Sequence, residues 1–394
     1  MTDPVPSAGG TGAGQTGQQE SQQNQATGKT AEEKANKKTI IIGLSGPSSS
    51  GKTTLARLLR TIFSVNDGRV RSFIIHEDDF YFPDDKIPVT RTKSGDLVQD
   101  WDTIGAIDVP FLSAALAYVR QNGELPPRLK SKEDQNQASD PGVDPAQIAS
   151  LQREVGERLI KKQEELNNAA EAETGPSLTV AFLEGFLLYA PPESEAPQHV
   201  LRPIHNNIHL HLFLPAPYDL VKTRREARSG YVTIGPGPTP SKKLPDNEQT
   251  QQQEQQQLQR QQEEQGHSWP QDTSAVDLEK GDHPKPQQNF WTDPPGYVED
   301  IVWPRYVQDH AWLLLPEDDG QDNQKPLSLV AQERSKISNT PPEEELLKLV
   351  GQGTNLRTDA GVTIAPGKGK LHITELLDWA VGEILKCLEV EGKA

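Results

Sequence analysis

The chain has 394 residues, of which only 33% are hydrophobic; it holds 31 Gly and 32 Pro and carries a net charge of −17. That length admits one large or two average domains, and the low apolar share points to one packed core bearing long unstructured segments. The negative balance argues against general nucleic-acid binding, which needs basic surface against phosphates. The single cysteine, Cys387, excludes an intrachain disulfide and any Cys-rich metal site, and its simplest role is packing on a C-terminal helix.

In chain order, residues 1–37 are Gly, Gln, Ser, Thr and Ala and read as a disordered tail, because they cannot bury enough surface to offset chain entropy. They lack a signal-peptide core, and no later run approaches the ~20 apolar residues of a membrane span. A soluble cytoplasmic protein with no membrane partner is expected, the nucleus being open to it as well. Order begins at "KTIIIGLSG", a β-branched strand, and a helix follows with Leu55, Leu58, Leu59 and Ile62 on one stripe. "VRSFIIHEDDFYFP" reads as a second strand running into acids. Residues 125–147 read as a polar loop. Ile148, Leu151, Val155 and Leu159 then recur at helical spacing.

"PSLTVAFLEGFLLY" and "NNIHLHLFLPAP" are short apolar runs bounded by turn residues, hence buried strands. The basic helix "YDLVKTRREARSGY" leads into a lid and a Gln-rich insert over residues 224–290, whose low-complexity part, 235–289, reads as disordered with a helical Gln/Glu tract open to it. Residues 316–345 read as another polar loop. Strand-like "GVTIA" and the amphipathic "ITELLDWAVGEILKCLEV" close the chain. No internal repeat is present. The alternation predicts an α/β fold, a mostly parallel sheet with helices on both faces, in a single domain over 38–394.

The residues from Gly46 through Pro47, Ser48, Ser49 and Ser50 to Gly51, Lys52 and Thr53 fit G-x-x-x-x-G-K-[ST] without mismatch, between a strand and a helix. Gly46 and Gly51 let the loop curl so that backbone N–H groups point at phosphate oxygens, and the helix adds its positive dipole end. Lys52 then reaches the β- and γ-phosphates and the Thr53 hydroxyl ligates Mg²⁺. The bland alternative is a small-residue turn with Lys52 on the surface. The loop alone does not separate kinases from GTPases or ATPases.

Glu77, Asp78 and Asp79 follow the second strand, where sheet ligands sit, and an acid there can take a hydroxyl proton or help hold Mg²⁺. A solvated acidic turn is the competing reading. Glu184 interrupts an apolar run, and a charge buried without a partner costs several kcal/mol, so it needs one; Mg²⁺ is the natural candidate, a structural ion pair the other. Lys222, Arg224, Arg225 and Arg228 crowd one helix in an acidic protein, which suits a lid closing on phosphates as well as an exposed basic face. The guanine-reading Asn-Lys-x-Asp is absent, and "HEDDF" is not the zinc motif H-E-x-x-H.

With these motifs assembled, the chain resembles the nicotinamide riboside kinases of the uridine-kinase-like P-loop family, in a version with long inserts. The stretches "GLSGPSSSGKTTLA", "HEDDFYFP", "QDWDTIGAIDV", "FLEGFLLY" and "DPPGYVEDIVWPRY" carry the likeness, scattered over roughly residues 38 to 310. The resemblance implies a five-stranded parallel sheet with a lid. It implies transfer of the ATP γ-phosphoryl to the 5′-hydroxyl of nicotinamide riboside, with nicotinic acid riboside and some pyrimidine nucleosides as further acceptors. ATP, a nucleoside and Mg²⁺ are the expected ligands, with no nucleic acid.

Residue by residue, the resemblance implies phosphate-loop roles for Lys52, Thr53 and the adjoining Thr54. It makes Asp78 the proton acceptor, beside the metal held by Thr53, Asp78 and Glu184. Asp79, Phe80 and Tyr81 continue the substrate-facing stretch. Asp102 holds the ribose hydroxyls, Trp101 takes the place of a base-stacking Tyr, and Arg225 lies near the substrate. Arg224, Arg228 and Tyr231 match ATP contacts of the lid, although one extra residue lies between Arg228 and Tyr231. Lys368, in the poorly matching "IAPGKGK", is the expected adenine neighbour. An independent reason favours this acceptor: its pyridinium is a cation, and a Trp face attracts a cation by ~0.5–2 kcal/mol. Neutral uracil gains less. Core packing is the other reading of Trp101. A uridine/cytidine kinase and a non-catalytic nucleotide-dependent interaction protein are the competing functions.

Overall fold

The N-terminal strand β1, Lys38–Ser45, forms because Ile40, Ile41 and Ile42 suit a pleated, fully buried backbone, and all three have no exposed surface. The computed structural model describes residues 38–64, 70–127, 129, 141–166, 178–228, 230–234, 288–317 and 325–391. The tail expected over 1–37 and nearly all of the Gln-rich stretch lie outside the described residues.

Helix α1, Lys52–Phe63, follows the glycine-rich turn, and strand β2, Val70–His76, ends in a 3-10 turn, Glu77–Phe80. A small antiparallel pair comes next, β3 (Val89–Arg91) with β4 (Leu97–Gln99). Helix α2, Val109–Asn122, is capped by the Asp108 carboxylate, which accepts from Phe111 N. Helix α3 (Pro145–Leu166) and strand β5 (Leu178–Glu184) precede a short turn of helix, α4 (Arg202–His205), and strand β6 (Leu210–Phe213). Helix α5 (Tyr218–Glu226) leads into β7 (Tyr231–Ile234), which pairs antiparallel with β8 (Gln288–Trp291). A π-turn over Val298–Val302 runs into α6 (Trp303–Asp309). Helices α7 (Leu327–Ser338) and α8 (Pro342–Leu349), strand β9 (Thr363–Ile364) and helix α9 (Ile373–Glu391) complete the order.

The main sheet has five strands, β2-β5-β1-β6-β9, all parallel. The predicted α/β fold is therefore what the chain adopts. Period-two alternation divides its core. Ile40, Ile42, Leu44 and Phe182 face α1, α3 and α9; Ile41 and Leu183 face the side covered by α2, α6 and α7. Strand β1 sits between β5 and β6, so the strands that follow it in the chain lie on both sides of it. Ligands of open α/β sheets bind at such a switch point, beyond the carboxyl ends of the strands.

The polar loop read over 316–345 needs correction, since α7 and the start of α8 lie there. Leu327, Val330 and Ala331 make a short apolar stripe buried against the core, as do Leu346 and Leu349. Dense Glu, Lys and Pro around them concealed the period. Most of the loop read over 125–147 lies outside the described residues, and α3 begins within its end, at Pro145. Cys387 is half-buried on α9. Among the described residues no helix is long and apolar enough to cross a membrane.

Leu59 has no exposed surface and packs between the sheet and its covering helices. Leu59→Ala should lower unfolding stability by about 2–5 kcal/mol in urea titration, the usual cost of a large core cavity.

Candidate active site

The phosphate loop is built on three positions of positive φ, Gly46 (148°), Ser49 (60°) and Gly51 (100°). A side chain on Gly46 would collide with the Leu214 carbonyl oxygen, so only glycine fits between β1 and the end of β6. Lys52 Nζ donates to the carbonyls of Gly46 (3.0 Å) and Pro47 (2.9 Å). Burial pulls the Lys52 ammonium below its usual range, although Glu184, Asp78 and Glu77 oppose the shift.

The strand register gathers the acids. His76 on β2 and Leu44 on β1 both lie level with Glu184 on β5. His76 Nδ1 is 2.7 Å from Glu184 Oε1, and the Thr53 hydroxyl lies 3.1 Å from each Glu184 oxygen. Burial alone would raise the Glu184 carboxyl; its hydrogen bond with His76, with the charges of His76 and Lys52 and the Thr53 hydroxyl, outweighs that and holds it below the usual carboxylate range. The partner expected for this buried acid is thus partly a histidine, which the sequence reading passed over. Alternation along β2 places His76 on the Ile74 face, the one shared with Leu44, so strand pairing was the missing signal.

Glu77 does something different from its neighbours. It is fully buried, and its Oε2 accepts the amides of Phe186 (2.6 Å) and Leu187 (3.2 Å). It occupies the space a Cβ on Gly185 would need, which explains the glycine in "EGF". Burial, then the charge of Asp78, push the Glu77 carboxyl up to about 8 against the pull of those amides and Lys52.

A cavity of about 550 Å³ opens in front of these groups. Ser48, Ser49, Gly51, Lys52, Thr53 and Thr54 form its floor. Asp78, Tyr81, Trp101, Asp102 and Glu184 line one wall, and Arg225, Arg228 and Tyr231 close it from the α5–β7 side. Trp101 is 7% exposed and edge-on to Tyr81 at 5.4 Å, so it packs and faces the cavity at once. Trp291, from β8, stands 6.0 Å from Trp101 and is a further aromatic wall that the sequence reading did not single out.

Arg225 is buried and binds in three directions. Its NH1 and NH2 donate to the two Asp102 oxygens (2.8 and 2.9 Å), its Nε to Asp293 Oδ2 (2.7 Å), and NH1 also to Ser48 Oγ (2.9 Å). Burial works against its charge, but Asp102, Tyr231 and Asp293 outweigh it and hold the guanidinium well above its usual range. Arg228 stacks over Tyr231 at 5.1 Å. Lys222, grouped with these arginines in the sequence, instead turns to Glu299.

Two substrate-facing expectations are not met. Phe80 is 1% exposed and packs against Phe111 in the core, and neither it nor Asp79 lines the cavity. Of the residues in the 3-10 turn, Asp78 lines the cavity, whereas Glu77 and Phe80 are buried. A second cavity, of about 300 Å³, lies on the other side of the phosphate loop, where Ser50 and Arg224 join Ser49, Gly51, Thr54 and Arg228. Its far wall is Leu371, Ile373 and Leu376. Lys368 does not line it: Nζ donates to Asn355 Oδ1 (2.7 Å), in an adjoining cavity.

A protonated Glu77 in the fold and an ionised one in the unfolded chain mean that folding takes up a proton between about 4.5 and about 8. Stability from this group is therefore fully present below that window and is lost as pH rises through it. Glu77→Gln keeps an acceptor for the two amides and should flatten the fall; urea unfolding at about pH 5 and about pH 9 reads it, and equal slopes in both proteins would count against a buried neutral Glu77.

No family model matches the chain. Similar curated proteins do exist. A nicotinamide riboside kinase of Schizosaccharomyces pombe is 29% identical over 284 residues, covering 72% of this chain and 84% of that protein. One of Saccharomyces cerevisiae is 24% identical over 320 residues, 76% and 98% of the two chains. One of Eremothecium gossypii is 25% identical over 288 residues, 73% and 83%. The chain is accordingly a homologue of the fungal nicotinamide riboside kinases.

Proposed function

We propose that the chain is an ATP-dependent kinase that moves the γ-phosphoryl group to the 5′-hydroxyl of nicotinamide riboside, giving nicotinamide mononucleotide for NAD salvage, with nicotinic acid riboside as a second acceptor. The observation that carries this reading is the pair of cavities meeting at one phosphate loop through Ser49, Gly51, Thr54 and Arg228. A donor in the smaller cavity and an acceptor in the larger one would face each other across that loop, as in-line transfer requires. The apolar wall of the smaller cavity suits a purine base. The larger holds acids, aromatics and the 5′-hydroxyl's proton acceptor.

In this reading Asp102 fixes the ribose hydroxyls, Trp101 covers the pyridinium ring and Asp78 accepts the 5′-hydroxyl proton. Lys52, Arg224 and Arg228 stabilise the charge on the moving phosphoryl group. Among the described residues no cluster of three His, Cys, Asp or Glu side chains is arranged as a metal cage. One hydroxyl and two carboxylates, from Thr53, Asp78 and Glu184, are nonetheless the hard oxygen donors that Mg²⁺ takes when phosphates and water complete its shell. Bound there, Mg²⁺ would offset phosphate charge.

The test is ADP release from Mg-ATP with nicotinamide riboside, with uridine and with no acceptor. Turnover should favour the riboside; a preference for uridine would overturn the acceptor, and no turnover with ATP still bound would overturn the kinase. Asp78→Asn should lower kcat by about 10²–10⁴, the usual range for a lost general base, and full turnover would remove Asp78 from that role. Trp101→Leu should raise KM for nicotinamide riboside by about 2- to 30-fold, the equivalent of one cation–aromatic contact, while leaving uridine nearly unaffected.

A further inference from the structure

The stretch "DPPGYVEDIVWPRY" carries part of the family likeness, yet of it the site described above uses only Asp293, as a partner of Arg225. Two of its side chains reach back to one short segment, 99–102. Tyr297 is 1% exposed; its hydroxyl donates to Gln99 O (2.9 Å) and accepts from Trp101 N (3.1 Å). Arg305, on α6, donates to Asp100 Oδ2 from Nε (2.8 Å) and NH2 (2.7 Å). Asp100 has no exposed surface, and its Oδ1 makes no hydrogen bond. A buried carboxylate so placed depends on its one cation, since removing either partner leaves an uncompensated charge. A π-turn lies between the two contacts, a feature that recurs where a helix serves a functional site.

Asp100 and Asp102 are therefore held by different cations, with Trp101 between them. Asp102 meets Arg225, which precedes residues 235–287 in the chain; Asp100 meets Arg305, which follows them. Neither Asp100 nor Arg305 lines the acceptor cavity, whereas Trp101 and Asp102 both do.

We propose that Asp100 and Arg305 are positioning residues for the acceptor: their buried ion pair, with the Tyr297 hydroxyl, fixes the backbone of 99–102 so that the Trp101 ring and the Asp102 carboxylate stand ready for the riboside. The inference rests on the kinase reading of that cavity. It adds a brace, from a motif downstream of the insert, that sets acceptor affinity without touching acceptor.

The experiment compares the full-length protein with Arg305→Met, Asp100→Asn and Arg305→Lys. It reads KM and kcat for nicotinamide riboside, KM for ATP, melting temperature, and amide hydrogen exchange across residues 97–103. In Arg305→Met and Asp100→Asn, acceptor KM should rise about tenfold or more, toward the ~100-fold that a 1 Å misplacement can cost, with KM for ATP changed by less than about twofold. Exchange over 97–103 should quicken. Arg305→Lys keeps the charge but not the planar fork, so partial rescue is expected; it also supplies the same readouts if Arg305→Met does not fold. A loss confined to melting temperature, with acceptor KM and exchange unchanged, would overturn the brace. Should the unaltered protein phosphorylate no riboside, the kinase reading falls by itself, and unchanged exchange at 97–103 would then overturn the brace independently.

Discussion

Arg225 is the contact on which the site depends. One buried guanidinium joins the phosphate loop through Ser48, the segment 99–102 through Asp102, and the chain beyond the insert through Asp293. These three segments are remote in sequence, and each presents a polar group to the same buried cation. A planar fork can serve two carboxylates and a hydroxyl at once, which a lysine ammonium could not do with the same geometry. The aromatic faces of Tyr231 and Tyr297, at 5.3 and 5.6 Å, complete its surroundings. The cleft is thus organised around a cation in an acidic protein.

The electrostatics divide the acids by environment. Glu184 is kept ionised by His76, Lys52 and Thr53 against the effect of its burial. Glu77, one residue beyond His76, is driven toward the neutral form and serves as a fixed acceptor for the turn after β5. Asp78, next in the chain, lines the cavity, which neither Glu77 nor Asp79 does. Two consecutive acids on one 3-10 turn, Glu77 and Asp78, thus differ in placement: one is buried against backbone amides and the other lines the cavity.

The sheet, its helices and the phosphate loop were legible because their signals are local: β-branched runs, a helical stripe, glycines at fixed offsets. The resemblance drew Trp101, Asp102 and Arg225 into one list, and the fold brings them to one cavity. What stayed hidden depends on pairing between distant segments. His76 becomes meaningful only when β2 lies beside β5, and Trp291 only when β8 pairs with β7. Phe80 entered only through the resemblance, as part of a substrate-facing stretch, whereas the structure packs it in the core against Phe111. Helices α7 and α8 were obscured by their solvated faces, where charge outnumbers the few apolar residues that bury.

The antiparallel pairing of Ile234 with Gln288 has its own consequence. It brings the two ends of residues 235–287 together at a fixed ladder spacing. The ribbon therefore fixes where that stretch leaves and rejoins the described residues. Growth or shrinkage of that stretch would leave the placement of Tyr231 and Trp291 unaltered. A lineage could lengthen, shorten or rewrite it freely, with the catalytic cleft insulated from the change by four residue pairs.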